Sequence, residues 1–80
     1  MIRLYETPLC SDCIEAKKEL REKNIPYEDM NITESIGNLK EFMKLRDEHP
    51  AFDSVKEKGQ IGVPAFIKED GTVAFSVEEL

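Results

Sequence analysis

Residues 2–24 have the sequence IRLYETPLCSDCIEAKKELREKN, and this stretch decides the fold class. Residues 2–5 are a short apolar-rich run that ends just before a Thr-Pro step, which predicts a β-strand. Residues 11–24 then place Cys13, Ala16 and Leu20 at i, i+3 and i+7, the spacing of one helix face, with charged residues around them. A strand that leads directly into an amphipathic helix predicts a βα unit.

The next part of the chain predicts a second strand and a second helix. The Asn-Ile-Pro sequence at 24–26 ends the first helix, because proline disfavours helical geometry in the residue before it. Residues 27–32 have the pattern of a strand, and a helix is predicted to start between Thr33 and Ile36. Its apolar stripe is predicted to comprise Ile36, Leu39 and Met43, with Phe42 alongside.

The last third of the chain predicts a short helix and a β-hairpin. Residues 50–59 start with a proline and end with a glycine, as a short helix often does. Residues 64–67 and 72–75 are strand-like runs joined by an Asp-Gly turn, which is a good hairpin signal. Ser76 and Glu79 have the spacing of a capping box, so a last helix is predicted to begin there.

This order of elements limits the topology. A strand, a helix and a second strand in succession require a parallel pair of strands, and the hairpin adds an antiparallel strand. We therefore predict an α/β protein in which a mixed four-stranded sheet is flanked by helices. The length of 80 residues allows one domain, spanning residues 1–80.

The composition excludes several classes of function. Lys and Arg number 11 against 17 Asp and Glu, which gives a net charge of -6 and argues against binding to nucleic acid or to anionic membranes. No apolar run approaches the roughly 20 residues of a membrane span. The first residues also lack the charged and apolar regions of a signal peptide. The sequence thus predicts a cytoplasmic protein, which we expect to be a monomer.

The only two cysteines lie in one unit, Cys10-Ser11-Asp12-Cys13. A disulfide between them would constrain little of the unfolded chain, so redox chemistry or metal binding is favoured over a structural role. Half a zinc site is one alternative, but His49 is the only other soft ligand, and four ligands would require a dimer. Two inert buried thiols are another alternative. His49 itself is interpreted as a surface residue near a helix end, not as a general base.

The predicted elements give the two cysteines different roles. Cys10 falls at the amino end of the first helix, where the helix dipole favours the nucleophilic thiolate. Cys13 falls in the first turn on the apolar face, and it is expected to act second by attacking a mixed disulfide on Cys10. This arrangement predicts a dithiol oxidoreductase.

Cys10-x-x-Cys13 follows a short strand, and Gly62-Val63-Pro64 comes about fifty residues later; with these motifs the sequence resembles the glutaredoxin branch of the thioredoxin superfamily. The sequence at 38–42, the helix predicted at 50–59 and the turn at 69–71 resemble a small bacterial-type group of glutaredoxin-related proteins. The resemblance implies a thioredoxin-like fold, a cis Pro64 that faces Cys10, and a Val63 backbone that clamps the substrate. Ser11 and Asp12, between the cysteines, complete the expected substrate-binding residues.

Several positions depart from the family pattern. They are Ser11 and Asp12 in place of Pro-Tyr, Thr7 in place of a basic residue, Gly62 in place of a threonine, and Phe75 and Ser76 in place of Gly-Gly. In the family, most of these positions contact glutathione. The departures therefore predict a protein that keeps the thiol chemistry but handles glutathione poorly.

Together these observations predict a reductase of protein disulfides or glutathione mixed disulfides. No tightly bound cofactor is expected, and glutathione is a possible co-substrate. Electrons would come from a glutathione-based reductant or from a thioredoxin-reductase-like protein. The alternative from another class is a dimeric carrier in which two chains share an iron–sulfur cluster through Cys10.

Overall fold

The computed structural model describes every residue from Met1 to Leu80 and confirms the α/β class. Its strands are β1 (Ile2–Glu6), β2 (Tyr27–Asn31), β3 (Ala65–Ile67) and β4 (Val73–Ala74). Its helices are α1 (Ser11–Glu22), α2 (Ile36–Glu48) and α3 (Asp53–Glu57), with short 3-10 turns at Pro50–Phe52 and Val77–Glu79. No helix combines the length and the apolar character needed to cross a membrane.

The strands form one mixed four-stranded sheet, as predicted, and their order in the sheet is β2-β1-β3-β4. β1 pairs in parallel with β2 and antiparallel with β3, and β3 pairs antiparallel with β4. β1 is therefore an inner strand, with Leu4 opposite Asp29 on one side and Phe66 on the other. Because α1 follows β1 after a short loop, α1 starts at the carboxyl end of an inner strand, not at an edge of the sheet.

Helices cover both faces of the sheet. Successive residues of a strand point to opposite faces, so Leu4 and Tyr5 belong to two different apolar clusters. The first cluster packs α1 and the C-terminal turn on the sheet, and it contains Leu4, Ala16, Leu20, Phe66, Ala74 and Val77. The second packs the opposite face, and it contains Tyr5, Ile32, Phe42, Phe52, Ala65 and Ile67.

The apolar stripe predicted for α2 is wrong at two positions. Ile36 and Met43 are 69% and 53% exposed, whereas Phe42 is buried. Phe42 packs against the rings of Tyr5 and Phe52, each with a centroid distance of 5.9 Å. The face of α2 that meets the sheet is therefore centred on Phe42, because this is where the aromatic rings of β1 and the 3-10 turn provide a surface to pack against.

The turns lie where the sequence predicts them, and most helices and strands end within one or two residues of the predicted positions. Gly59 after α3 and Gly71 in the hairpin both have positive φ, at 69° and 88°. Ser76 and Glu79 form the predicted capping box, but the element they start is a three-residue 3-10 turn, not an α-helix. α1 ends at Glu22, and Asn24 then adopts a left-handed conformation with φ of 56°.

Candidate active site

Cys10 is the N-cap residue of α1, and its side chain is partly exposed. Its Sγ accepts a hydrogen bond from the backbone N–H of Cys13 at 3.3 Å. The first N–H groups of a helix have no partner within the helix, so a sulfur at this position takes the place of a capping oxygen. The Cys13 N–H group and the positive end of the helix dipole both lie at Cys10 Sγ.

Cys13 lies in the first turn of α1 with no exposed surface. Burial raises the pKa of the Cys13 thiol to about 12, and the neighbouring Cys10 sulfur adds to the shift while the Thr7 backbone N–H opposes it. Cys13 therefore keeps its proton at neutral pH. Both cysteines are free thiols in this structure, and they form a pair with one accessible and one buried member.

The residues of Gly62-Val63-Pro64 lie next to Cys10, although they are distant in sequence. The Val63–Pro64 peptide bond is cis, as the resemblance implied. Cys10, Val63 and Pro64 line the same cleft, because β1, which precedes Cys10, pairs with β3, which follows Pro64. The backbone N–H and C=O of Val63 make no hydrogen bond within the chain. One free donor and one free acceptor therefore lie in the same cleft as the accessible thiol.

The loop before Val63 is held by Arg46 of α2, a residue that the sequence analysis did not single out. Arg46 Nε donates a hydrogen bond to the Ile61 carbonyl at 2.8 Å, and Nη2 donates one to the Gln60 carbonyl at 2.6 Å. The Gln60 N–H in turn donates to the Val55 carbonyl at 2.9 Å. Arg46 lies among charged residues on a helix, so no local pattern distinguishes it from an ordinary solvated side chain.

The cleft has a volume of about 980 Å³. Asp12 lines it together with Cys10, Val63 and Pro64, so the structure brings four of the predicted site residues to one cavity. Cys13 is buried under it. Ser11 is exposed as the first residue of α1, and it does not line the cleft.

Three of the positions that depart from the family pattern make hydrogen bonds within the chain. Thr7 is 8% exposed, and its hydroxyl is 3.0 Å from that of Thr33. The backbone N–H groups of Phe75 and Ser76 both donate to Glu79 Oε2, at 2.8 and 3.0 Å. The hydroxyl and the two N–H groups therefore already have partners within the chain.

A charged cluster that the sequence analysis missed lies between β1 and α1. Glu6 has no exposed surface, and neither of its carboxylate oxygens accepts a hydrogen bond. Lys17 Nζ is 3.6 Å from Glu6 Oε2 and 3.0 Å from Asp29 Oδ2. Burial and the nearby Asp29 carboxylate raise the pKa of Glu6 to about 7, while Lys17 opposes the shift. Glu6 shares its face of β1 with Leu4, which explains why a charged residue points toward α1.

His49 lies outside the cleft and has a local structural role. Its Nδ1 accepts a hydrogen bond from the Ala51 N–H at 3.1 Å, and its Nε2 is 3.2 Å from the Gly71 carbonyl. His49 thus links the end of α2 to the hairpin turn. No group of three or more His, Cys, Asp or Glu side chains is arranged to hold a metal ion.

The fold is thioredoxin-like and carries a dithiol motif. It combines this mixed sheet with a Cys-x-x-Cys unit at the start of α1 and a cis-proline before β3. The family model for glutaredoxin matches residues 2–70, and the chain belongs to the glutaredoxin family.

The similar proteins extend this result. An uncharacterized protein of Haemophilus influenzae is 32% identical over 77 residues, which cover 96% of this chain and 90% of that protein. An uncharacterized glutaredoxin-like 8.6 kDa protein in the rubredoxin operon of Clostridium pasteurianum is 36% identical over 56% of this chain and 60% of its own length. The global transcriptional regulator Spx of Listeria monocytogenes is 33% identical over 60% of this chain and only 39% of its own length. No solved structure matches the chain significantly.

Gly62 is expected to be the least replaceable glycine of the chain. Its φ is +99°, and an added Cβ would lie 3.1 Å from the Phe52 ring. Gly62→Ala should therefore lower the free energy of unfolding by about 1–3 kcal/mol and shift the neighbouring Val63 backbone. Urea denaturation and disulfide reductase assays measure the two effects.

Gly71→Ala is the matched control, because Gly71 has a φ of +88° with nothing within 4 Å of the added Cβ. It introduces backbone strain without a contact to the core. If Gly71→Ala proves as damaging as Gly62→Ala in both assays, the contact with Phe52 has no role.

Proposed function

We propose that this protein is a thiol-disulfide oxidoreductase in which Cys10 is the nucleophile and Cys13 the resolving thiol. The observation that carries the proposal is the asymmetry of the pair. Cys10 is an accessible helix-capping thiol in a cleft, and Cys13 is a fully buried thiol three residues later. Thiol–disulfide exchange requires an accessible thiolate to attack and a second thiol to complete the reduction.

The proposed reaction has two steps that balance in electrons. The Cys10 thiolate attacks one sulfur of the substrate disulfide, forms a mixed disulfide and releases the first substrate thiolate, which takes up a proton. Cys13 then attacks Cys10 Sγ and gives up its proton, and the second substrate thiolate leaves and takes up a proton to become the second thiol. The substrate gains two electrons, and the protein is left with a Cys10–Cys13 disulfide that an external thiol must reduce.

The cleft supplies the groups that would orient a substrate for the first step. We propose that the free N–H and C=O groups of Val63 pair with the backbone of the substrate next to its disulfide, as one strand pairs with another. Pro64 packs in a buried position beside them and lines the cleft with Cys10. Asp12 lines the same cleft, and we propose that it and the exposed Ser11, which precedes it, meet the residues that flank the disulfide.

We propose that glutathione is a weak co-substrate. The electron donor is either a glutathione-based reductant or a protein reductase. At position 7, where the family has a cation for a glutathione carboxylate, this chain has Thr7, which is paired with Thr33. The N–H groups of Phe75 and Ser76 are bound to Glu79. The proposed chemistry needs no tightly bound cofactor, and we propose that the protein acts as a cytoplasmic monomer.

We expect the protein to reduce a protein disulfide efficiently and a glutathione mixed disulfide poorly. Loss of one charge-assisted contact to a carboxylate weakens binding by about 1.5–3 kcal/mol, or roughly ten- to a hundredfold. The measurement is kcat/KM for an oxidised protein substrate and for a glutathionylated peptide, each with glutathione and with thioredoxin reductase as reductant. Thr7→Lys should improve turnover of the glutathionylated peptide.

Efficient and saturable turnover of the glutathionylated peptide by the unmodified protein would contradict this expectation. The absence of any disulfide reduction would contradict the proposed function itself. The purification provides a test of the iron–sulfur alternative, since a brown and dimeric protein that loses its colour in Cys10→Ser would favour it.

A further inference from the structure

The walls of the Cys10 cleft carry an excess of negative charge. Four carboxylates line the cleft, and the only cation among the lining residues is Lys58. None of the four makes an ion pair within the chain. The four carboxylates are Asp12, Glu15, Glu19 and Glu78.

Three of these carboxylates follow one face of α1. Asp12, Glu15 and Glu19 are spaced i, i+3 and i+7, which places them in a row that starts beside Cys10. At 1.5 Å per residue the row is about 10 Å long, which matches about three residues of an extended chain. Glu78 extends the negative charge to the C-terminal turn. A polypeptide that enters the cleft would therefore pass these carboxylates one after another.

The mouth of the cleft is apolar next to the reacting sulfur. Leu9 is 84% exposed and Ile61 is 63% exposed, and both line the cleft. They are the neighbours in sequence of Cys10 and Gly62, so they border the accessible thiol and the loop that leads to Val63. A large exposed apolar side chain indicates a contact surface when it lies at a binding cleft.

We propose that the substrate is a cysteine-containing segment of a protein that binds in an extended conformation. The segment has lysine or arginine residues along the row of carboxylates and an apolar residue next to its cysteine. The inference rests on the proposed function and names its substrate class. The carboxylates are part of the Cys10 cleft and not a separate site. A glutathione mixed disulfide, with its own carboxylates, is the wrong ligand for such a cleft, whereas a basic segment complements it.

The test uses pairs of short disulfide-linked peptides that differ only in charge. Each peptide has one central cysteine flanked by leucine, with two lysines, two serines or two glutamates further out. The second-order rate of reduction by the reduced protein is measured at about 20 mM and about 500 mM salt. We expect the lysine peptide to react at least about tenfold faster than the glutamate peptide at low salt, and the difference to fall to about twofold or less at high salt.

A charge-reversed protein and a matched control identify the groups responsible. The double variant Glu15→Lys, Glu19→Lys should lose or invert the preference, because it replaces two of the three carboxylates of the row with cations but leaves both cysteines in place. The double variant Glu22→Lys, Glu28→Lys changes the net charge equally at exposed positions outside the cleft. It should keep most of the preference. Hydroxyethyl disulfide, which is small and neutral, measures the basal reduction rate of all three proteins.

Each outcome has a defined meaning. Equal rates for the lysine and glutamate peptides at low salt would overturn the inference while leaving the proposed function intact, and so would a preference that both double variants lose equally. Failure to reduce hydroxyethyl disulfide would refute the proposed function. Even then, equilibrium binding of the same peptides with an S-methylated cysteine would still test whether the cleft selects basic segments.

Discussion

Replacing Cys10 with serine is expected to abolish disulfide reductase activity, whereas replacing Cys13 with serine should trap a mixed disulfide on Cys10. The reason is the accessibility of the two sulfurs. Cys10 Sγ is partly exposed in the cleft, and Cys13 has no exposed surface. Burial also raises the pKa of the Cys13 thiol, so Cys13 stays protonated at pH 7 and is a poor substitute for Cys10 as the attacking group.

The trapped species is measured by intact-protein mass spectrometry after incubation with a disulfide-linked peptide, followed by peptide mapping. The expected result is one adduct per Cys13→Ser molecule, located on Cys10, and none on the Cys10→Ser protein. The exposed Ser54→Ala change, elsewhere on the cleft wall, serves as a control that should retain activity. A stable adduct on Cys13 in the Cys10→Ser protein would reverse the assignment of the two roles.

The pH dependence of stability is expected to reveal the buried Glu6 carboxyl. Its pKa rises from an ordinary 4.5 to about 7 in the folded state, chiefly because of burial. Between these two values the folded protein retains a proton that the unfolded chain releases, so the free energy of unfolding falls as pH increases from about 4.5 to about 7. The loss should amount to about 1–3 kcal/mol and level off above pH 7.

Glu6→Gln is expected to remove most of this slope and to raise stability above pH 7, because the amide has the same shape but carries no charge. Urea denaturation of both proteins at about pH 5, 6, 7 and 8 measures the difference. The exposed Glu34→Gln change is the control, and it should leave the slope unchanged. A slope that survives in Glu6→Gln would show that another group carries the pH dependence.

Asp29 and Lys17, which lie next to Glu6, also affect how the free energy of unfolding depends on pH. The pKa of Asp29 is lowered although burial acts in the opposite direction, because interactions with Glu6 and with Lys17 Nζ, which is 3.0 Å from Asp29 Oδ2, stabilise its carboxylate. Interactions with Asp29 also raise the pKa of Lys17, against the effect of its burial. Below about pH 3.8 the protonation of Asp29 should itself destabilise the protein, so maximal stability lies between the two carboxyl transitions.

The sequence predicted the fold wherever the signal was local. The spacing of Cys13, Ala16 and Leu20 predicted the buried face of α1, and the Asp-Gly turn predicted the hairpin. The face of α2 was wrong, because Ile36 and Met43 fit a helical period as well as Phe42 does. Only the position of the Tyr5 and Phe52 rings selects between the two registers.

The sequence predicted the cysteines of the candidate site but not the residues that hold the surrounding loop and helix in place. The spacing of the cysteines is visible in the sequence, so both could be named in advance, whereas the cis bond before Pro64 was implied only by the resemblance to the glutaredoxin family. Arg46 and Glu6 could not be identified, since both are ordinary charged residues until the fold brings them to the Ile61 carbonyl and to Lys17. Their importance depends on partners that are distant in sequence.

The strands that carry the two parts of the site, the cysteines and the Val63-Pro64 segment, are paired to different extents. β1 pairs with β2 at five positions, but β3 is joined to β1 at three positions and to β4 at two. The cysteines belong to the extensively paired βαβ unit, and Val63 and Pro64 lead into the sparsely paired hairpin. Fraying that begins at the two-residue β4 would therefore cost less free energy than global unfolding, and it would loosen the hairpin that follows Val63 and Pro64 while the thiols stay in place.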